Sequence, residues 1–210
     1  PQLLNLLQEG EYQFLPTGHF PGGSFLSISN YSTEQSSPLF FSDSEFTREK
    51  RDMEGAVSGE HEMKVDSSKV WELYRSLELA KLVEGGLPLI HKIEVVQGDG
   101  GLGTVFNLIF APGTPGLSSY KEKITKLDDE NRIKEAEVVE GGYLDLGFSL
   151  YRVRFQVIDK GLLGNCILKS TVEYALKEDA DPHASELVSI QPLQDIARLV
   201  ESHLLQQPVD

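Results

Sequence analysis

From Glu54 onward, apolar and polar positions recur with periods that mark one element after another. In "EGAVSGEHEMKV", Val57, Met63 and Val65 fall on alternate positions and predict a first strand. Asp66-Ser67-Ser68 supplies a helix cap. Through "SKVWELYRSLELAKL", Val70, Leu73, Tyr74 and Leu77 follow 3.6-residue spacing, so this helical region should face a core before Gly85, Gly86 and Pro88 end it. "IHKIEVVQ" and "TVFNLIFAP" read as the next two strands, and Tyr120 to Tyr151 as three more with two tight reversals. In "LGNCILKSTVEYAL", Leu168, Val172, Tyr174 and Leu176 alternate with Lys169, Thr171 and Glu173. After "KEDADP", residues 183–206 read as a long C-terminal helix whose stripe is Ile190, Leu193, Ile196, Leu199, Val200, His203 and Leu204, with Pro192 expected to kink it or mark a restart.

The order is a strand, a helical pair, about six antiparallel strands and a long helix, which is an α+β arrangement. A strongly bent antiparallel sheet needs an apolar partner on its concave face, and the last helix can supply it. Where the two do not close completely, inward side chains would line an internal cavity. Residues 1–52 differ: "PTGHFPGGSFLSISNYSTEQSSPLFFSDSEF" is rich in Ser, Gly and Pro and lacks periodicity. This stretch is expected to be a disordered extension or a non-native segment, leaving 53–210 as the folded domain.

Composition narrows the function classes. The chain has 210 residues, a formal net charge of −14 and no Lys/Arg cluster, which argues against a nucleic-acid surface built on phosphate contacts. No apolar run approaches the roughly 18–20 residues of a membrane span. The single cysteine, Cys166, allows no intrachain disulfide, suits a reducing compartment, and sits in a strand-like run where a buried inert thiol is expected. The five histidines show no metal-ligand spacing, so no metal is expected, and His203 reads as a partly covered surface residue.

One motif invites a cofactor reading. Gly98, Gly100 and Gly103 fit G-x-G-x-x-G, but that fingerprint needs a helix N-terminus after the glycines to hold the pyrophosphate. The continuation Thr104-Val105-Phe106-Asn107-Leu108 is a β-run, so the loop reads as a glycine-rich reversal and no cofactor is expected.

The candidate chemistry lies on the middle strands. In "SSYKEKITKL", Tyr120, Glu122 and Ile124 share the face that reads as inward, and Lys121, Lys123 and Thr125 the other. On the next strand Lys134, Ala136 and Val138 share a face. Pairing Leu127 with Asn131 sets Ile124 opposite Lys134 and turns Lys134 inward; a slip of one residue would expose it. Further on, Tyr151, Val153, Phe155 and Val157 alternate with Arg152, Arg154 and Gln156, so Val153 looks inward and apolar.

The stretches "GDGGLGTVFNLIFAPG", "YKEKITKLDDENRIKEAEVVEGGYLDLGF" and "SIQPLQDIA" resemble the plant pathogenesis-related class-ten superfamily, typified by the major birch pollen allergen. Within it, "VVEGGYLDLGF" is most similar to the norcoclaurine-synthase-like branch, and the resemblance covers residues 54–206. It implies a START-like helix-grip fold: a seven-stranded curved antiparallel sheet wrapped around a long C-terminal helix, with two short helices at one end and an apolar cavity inside. It favours the inward register of Lys134. It also implies a small hydrophobic or aromatic ligand, held by Tyr120, Glu122 and Lys134 on the polar side. Phe106, Leu108, Phe110, Ala136, Val138, Tyr151, Val153, Phe155, Leu193 and Ile196 are then the expected lining.

Norcoclaurine synthases condense dopamine with 4-hydroxyphenylacetaldehyde in a Pictet–Spengler reaction. By that resemblance Lys134 would be the base, Glu122 the acid and Tyr120 the orienting hydroxyl. The synthases carry an Asp on the following strand where this chain has Val153, and the departure ranks a binding protein ahead of an enzyme. Abscisic-acid receptors share the fold, but their "SGLPA" gate and "HRL" latch correspond here to "APGTPGL" and "ENRIKE", which makes hormone-gated signalling the least favoured reading. The expected state is a monomer or weak dimer, the expected location cytoplasmic with the nucleus as a second site, and neither nucleic acid nor membrane is an expected partner.

Overall fold

A computed structural model of the chain describes residues 54–207 apart from 115–116, 162–163 and 182, so the expectation of disorder over 1–52 lies outside the described residues. The order is β1 (Glu54–Met63), α1 (Ser67–Arg75), α2 (Glu78–Gly86), β2 (Ile90–Gln97), β3 (Val105–Phe110), β4 (Ser119–Asp128), β5 (Ile133–Gly141), β6 (Phe148–Asp159), β7 (Cys166–Leu176) and α3 (Gln191–Leu205), with short 3-10 turns at Gly142–Leu144 and Ala184–Leu187. The strands form one seven-stranded sheet in the order β1-β7-β6-β5-β4-β3-β2, every neighbouring pair antiparallel. Register shifts in β2–β3, β4–β5 and β6–β7 bend the ladder, as extra residues on one strand of a pair do.

The alternation read from the sequence is the alternation in the fold. Met63, Tyr151, Phe155, Val157, Cys166, Leu168 and Val172 are buried in one cluster with Val70, Leu73 and Tyr74 of α1 and Leu193, Ala197 and Val200 of α3. The opposite face carries cross-strand ion pairs: Arg152 bridges Glu137 and Glu173, each at 3.1 Å, and Arg154 meets Glu135 at 2.8 Å. No helix among the described residues is long and apolar enough to cross a membrane.

Three expectations change in detail. The helical run after Asp66 is interrupted. Asp66 caps α1 by accepting from the Ser68 amide at 2.8 Å, but Ser76 turns extended and its hydroxyl donates to the Leu73 carbonyl at 3.1 Å, ending α1 before α2 starts. The C-terminal helix begins at Gln191 rather than 183, because Pro192 sits in the first turn, where its missing N–H has no helical acceptor to lose; Pro192 starts α3 instead of kinking it. At 15 residues, α3 is about 22 Å long.

The third change is the β4–β5 register. Leu127 pairs with Lys134 and Asp128 with Ile133, so Ile124 lies opposite Ala136 and not opposite Lys134. The hairpin tip holds four residues rather than three, with Arg132 in the left-handed region at φ 51°, and two bulges shift the ladder further along. Lys134 nonetheless faces inward and is only 6% exposed.

The glycine-rich loop joins β2 to β3 and runs into a strand. Gly98, Gly100 and Gly103 all have positive φ. At Gly100 a Cβ would meet Leu77, so this loop packs directly on the α1–α2 junction. Its Gly100 amide is spent on the Thr104 hydroxyl at 2.9 Å.

Candidate functional site: the concave face of the sheet

Pairing across the strands arranges the inward side chains in rows. One row runs Phe106, Glu122, Val138, and is continued by Tyr151, Tyr174 and Gly55. The next runs Ile124, Ala136, Val153, Val172, Val57, and is apolar throughout. The third runs Leu127, Lys134, Phe155, Ser170, Gly59. Glu122 and Lys134 therefore share the concave face with an apolar row between them, and no direct ion pair joins them.

Lys134 donates to the backbone carbonyl of Tyr74 at 2.9 Å. Tyr74 lies in the last turn of α1, where carbonyls run out of helical amide partners, so the break at Ser76 creates the acceptor that Lys134 uses. Burial pushes the Lys134 amine below its ordinary value, and the carboxylate of Glu122 opposes that shift. Burial likewise pushes the Glu122 carboxyl up to about 7, with Lys134 opposing. The two groups thus lean toward neutrality, and the Glu122 carboxyl accepts no hydrogen bond from a described residue. Tyr120 and Glu122 keep some accessible surface although protein surrounds them closely.

Aromatic rings frame this pair of groups. Tyr120 lies 5.5 Å from Phe110 and 6.1 Å from Tyr143, and Tyr143 stacks on Tyr151 at 3.6 Å with 7° between the planes. The hydroxyls of Tyr143 and Tyr151 interact, and burial raises the phenols of Tyr120, Tyr143 and Tyr151 above their ordinary value. Tyr74 packs its ring 5.1 Å from Phe155.

The expected site residues fall into two packed groups. Val138, Tyr151, Phe155 and Leu193 are buried in the main cluster, with Val153 and Ile196 packed against it. Phe106 and Leu108 join Ile124 in a second cluster, and Tyr120 touches both. Phe110 reaches the site through Tyr120, and Ala136 occupies the apolar row beside Val153. Cys166 is fully buried, and burial pushes its thiol up to about 11, so it is an inert core residue as its strand context suggests.

Tyr143 was not legible as a site residue. Its place depends on Gly141 and Gly142, at φ 73° and 54°, which turn the chain out of β5 into the 3-10 turn. A Cβ on Gly142 would lie 2.7 Å from Tyr120 Cβ, so the paired glycines are what allow the two tyrosines to approach. A Gly-Gly pair directly before an aromatic was the available signal.

Residues 52–207 match the model of the Pathogenesis-related protein Bet v 1 family. Norbelladine synthase of Narcissus pseudonarcissus is 42% identical over 156 residues, covering 74% of this chain and 94% of that protein. S-norcoclaurine synthase 1 of Papaver somniferum is 29% identical over 182 residues, 86% of this chain and 77% of that one. Norcoclaurine synthase from Thalictrum flavum, solved in complex with dopamine and hydroxybenzaldehyde, superposes with a TM-score of 0.67 at 29% identity, covering 83% of this chain and 100% of that chain. With the sheet, the gripping helix and the concave face described, the chain belongs to the pathogenesis-related Bet v 1 family of ligand-binding proteins, in its norcoclaurine-synthase-like branch.

Proposed function

We propose that the concave face binds a small aromatic ligand carrying polar substituents, with Tyr120, Glu122 and Lys134 as its polar contacts and Phe106, Leu108, Phe110, Ala136, Val138, Tyr151, Val153, Phe155, Leu193 and Ile196 as its apolar surroundings. One observation carries this reading: an amine and a carboxyl lie on one buried face, each pushed toward its neutral form and each with hydrogen-bonding capacity left over. A buried polar group with spare capacity is costly unless something fills it, and a phenol, amine or carbonyl on a ligand would do so. The dopamine and hydroxybenzaldehyde in the Thalictrum structure are ligands of this chemistry. The test is calorimetric titration with dopamine and with 4-hydroxybenzaldehyde, comparing wild type with Lys134→Met. The expected result is binding that weakens at least tenfold in the variant; equal affinity in both would refute the assignment of Lys134. In this reading the protein acts as a cytoplasmic monomer or weak dimer, the oligomeric state being checked by light scattering.

A second reading, amine–aldehyde condensation of the Pictet–Spengler type, has its own observation. Burial shifts Glu122 toward its protonated form and Lys134 toward its neutral form, the directions in which an acid and a base are tuned. Lys134 would take a proton from the phenol or ammonium, and Glu122 would protonate the carbinolamine hydroxyl as it leaves as water. Attack of the activated ring on the resulting iminium carbon then closes the second ring, and the displaced ring proton passes to a base. Tyr120 would orient the oxygen being protonated. By the sequence resemblance Val153 falls where the synthases carry an Asp, and this departure keeps the reading behind binding. Enantiomeric excess of product from dopamine and an arylacetaldehyde measures it, because phosphate buffer yields only racemate. Racemic product with both wild type and Val153→Asp would exclude the activity.

A further inference from the structure

The tip of the β4–β5 hairpin holds α1 at both ends and in the middle. Arg132 donates from Nη1 to the Ser67 hydroxyl at 2.7 Å, at the first residue of α1. Ser67 is buried and passes a hydrogen bond to Asp159 at 2.8 Å. Asp129 accepts from Trp71 Nε1 at 3.0 Å in the middle of α1 and from Arg75 Nη2 at 3.1 Å at its end, where it also pairs electrostatically with the Arg75 guanidinium. Two residues beyond Arg132, on the same strand run, Lys134 reaches the Tyr74 carbonyl at 2.9 Å. That carbonyl is at the negative end of the helix, where a cation or an N–H donor is favoured.

We infer that Arg132 and Asp129 are positioning residues for Lys134: by fixing α1 over the start of β5 they keep the Tyr74 carbonyl on the lysine amine and water away from it. The backbone supports this assignment. Arg132 takes a left-handed conformation, φ 51°, that glycine adopts without strain, so an arginine there costs conformational energy that its side-chain contacts must offset. A tip selected only for its turn would place glycine at this position. The contacts made instead all end on α1 or on Asp159 beside it.

The inference rests on the reading that Lys134 serves the pocket, but its test does not require a ligand. The groups facing Lys134 are Glu122 from β4, the Tyr74 carbonyl from α1 and the Phe155 ring position from β6. Because burial is the leading cause of the lowered lysine value, loosening α1 admits water and moves the titration up toward an ordinary lysine. The experiment follows the 13Cε resonance of Lys134 against pH in ligand-free protein, assigned with Lys134→Met. It compares wild type, Arg132→Gly, and Arg132→Gly combined with Asp129→Asn. Arg132→Gly relieves the backbone while removing the latch, so it keeps the turn and decides the matter if the double variant does not fold.

The expected shift is upward by roughly one pH unit, a tenfold change in proton affinity, in Arg132→Gly, and more in the double variant. Folded variants in which Lys134 titrates as in wild type would overturn the assignment. Weak ligand binding by wild type with the titration shift present would leave the positioning role intact and remove only the ligand reading.

Discussion

Replacing Glu122 by glutamine should make stability less dependent on pH, and the size of the change follows from the carboxyl's surroundings. Burial raises the Glu122 carboxyl from 4.5 to about 7. The folded protein then holds a proton that the unfolded chain has released, so this group's contribution is fully present below pH 4.5 and is lost as pH rises through 7. A displacement of that size corresponds to about 3 kcal/mol, lowered to about 2 where water reaches the accessible part of the carboxyl. Lys134 acts in the opposite sense: its depressed value gives stability that is present above its ordinary range and lost as pH falls through the folded value. Wild type and Glu122→Gln both carry Lys134, so the difference between their profiles from pH 4 to 7.5 reports chiefly on Glu122. Urea unfolding monitored by circular dichroism across that window should show wild type losing stability relative to Glu122→Gln by about 2 to 3 kcal/mol. Parallel pH profiles for the two proteins would mean that Glu122 ionises as an ordinary surface carboxyl, and the reasoning from burial would fail.

The other expectations can be checked with the same preparations. Lys134→Met replaces a buried amine with an apolar side chain of similar length, so the melting temperature should hold or rise while dopamine affinity falls at least tenfold, measured by calorimetry. Val153→Asp puts a carboxyl into the apolar row and should destabilise by about 2 kcal/mol at pH 8, with part of the loss recovered at pH 4 as the carboxyl protonates; urea unfolding at both pH values tests it. Arg152→Ala removes the bridge between Glu137 and Glu173 on the outer face, where the side chains remain about a third exposed. Its cost should be about 0.5 to 1 kcal/mol and shrink in 1 M salt, as seen by thermal unfolding at two salt concentrations.

The sheet was legible because the period of two holds along each strand between its bulges. Tyr151, Phe155 and Val157 are buried while Arg152 and Arg154 pair outside, as their alternation implied. Where the sequence reading went astray, the deciding contact was not local. The 3.6-residue pattern runs straight across Ser76, because Leu77 still packs inward after the helix has broken. The β4–β5 register could not be found by counting from the loop, since Arg132 adopts a left-handed conformation that arginine sequences do not advertise and each bulge shifts the count. Lys134 still faced inward because its face was also fixed by Ala136 and Val138 on the same strand. Tyr143 entered the site only through a turn whose destination depends on Tyr120 filling the space above Gly142.

The place of Val153 in the rows bears on the two polar groups flanking it. Val153 lies in the middle of Ile124, Ala136, Val153, Val172 and Val57, the band between the Glu122 row and the Lys134 row. Two residues along a strand span about 6.6 Å, so each row adds that much separation before side-chain reach is counted. If an acid and an amine met directly, mutual attraction would hold both charged and draw their proton affinities apart. Across an apolar band that attraction weakens, burial governs each group, and both lean toward neutrality, which is what Glu122 and Lys134 do. An aspartate at 153 would stand between them and give the amine a charged partner. Val153 thus keeps the band between the Glu122 and Lys134 rows apolar, and with it the conditions under which burial raises the carboxyl and lowers the amine.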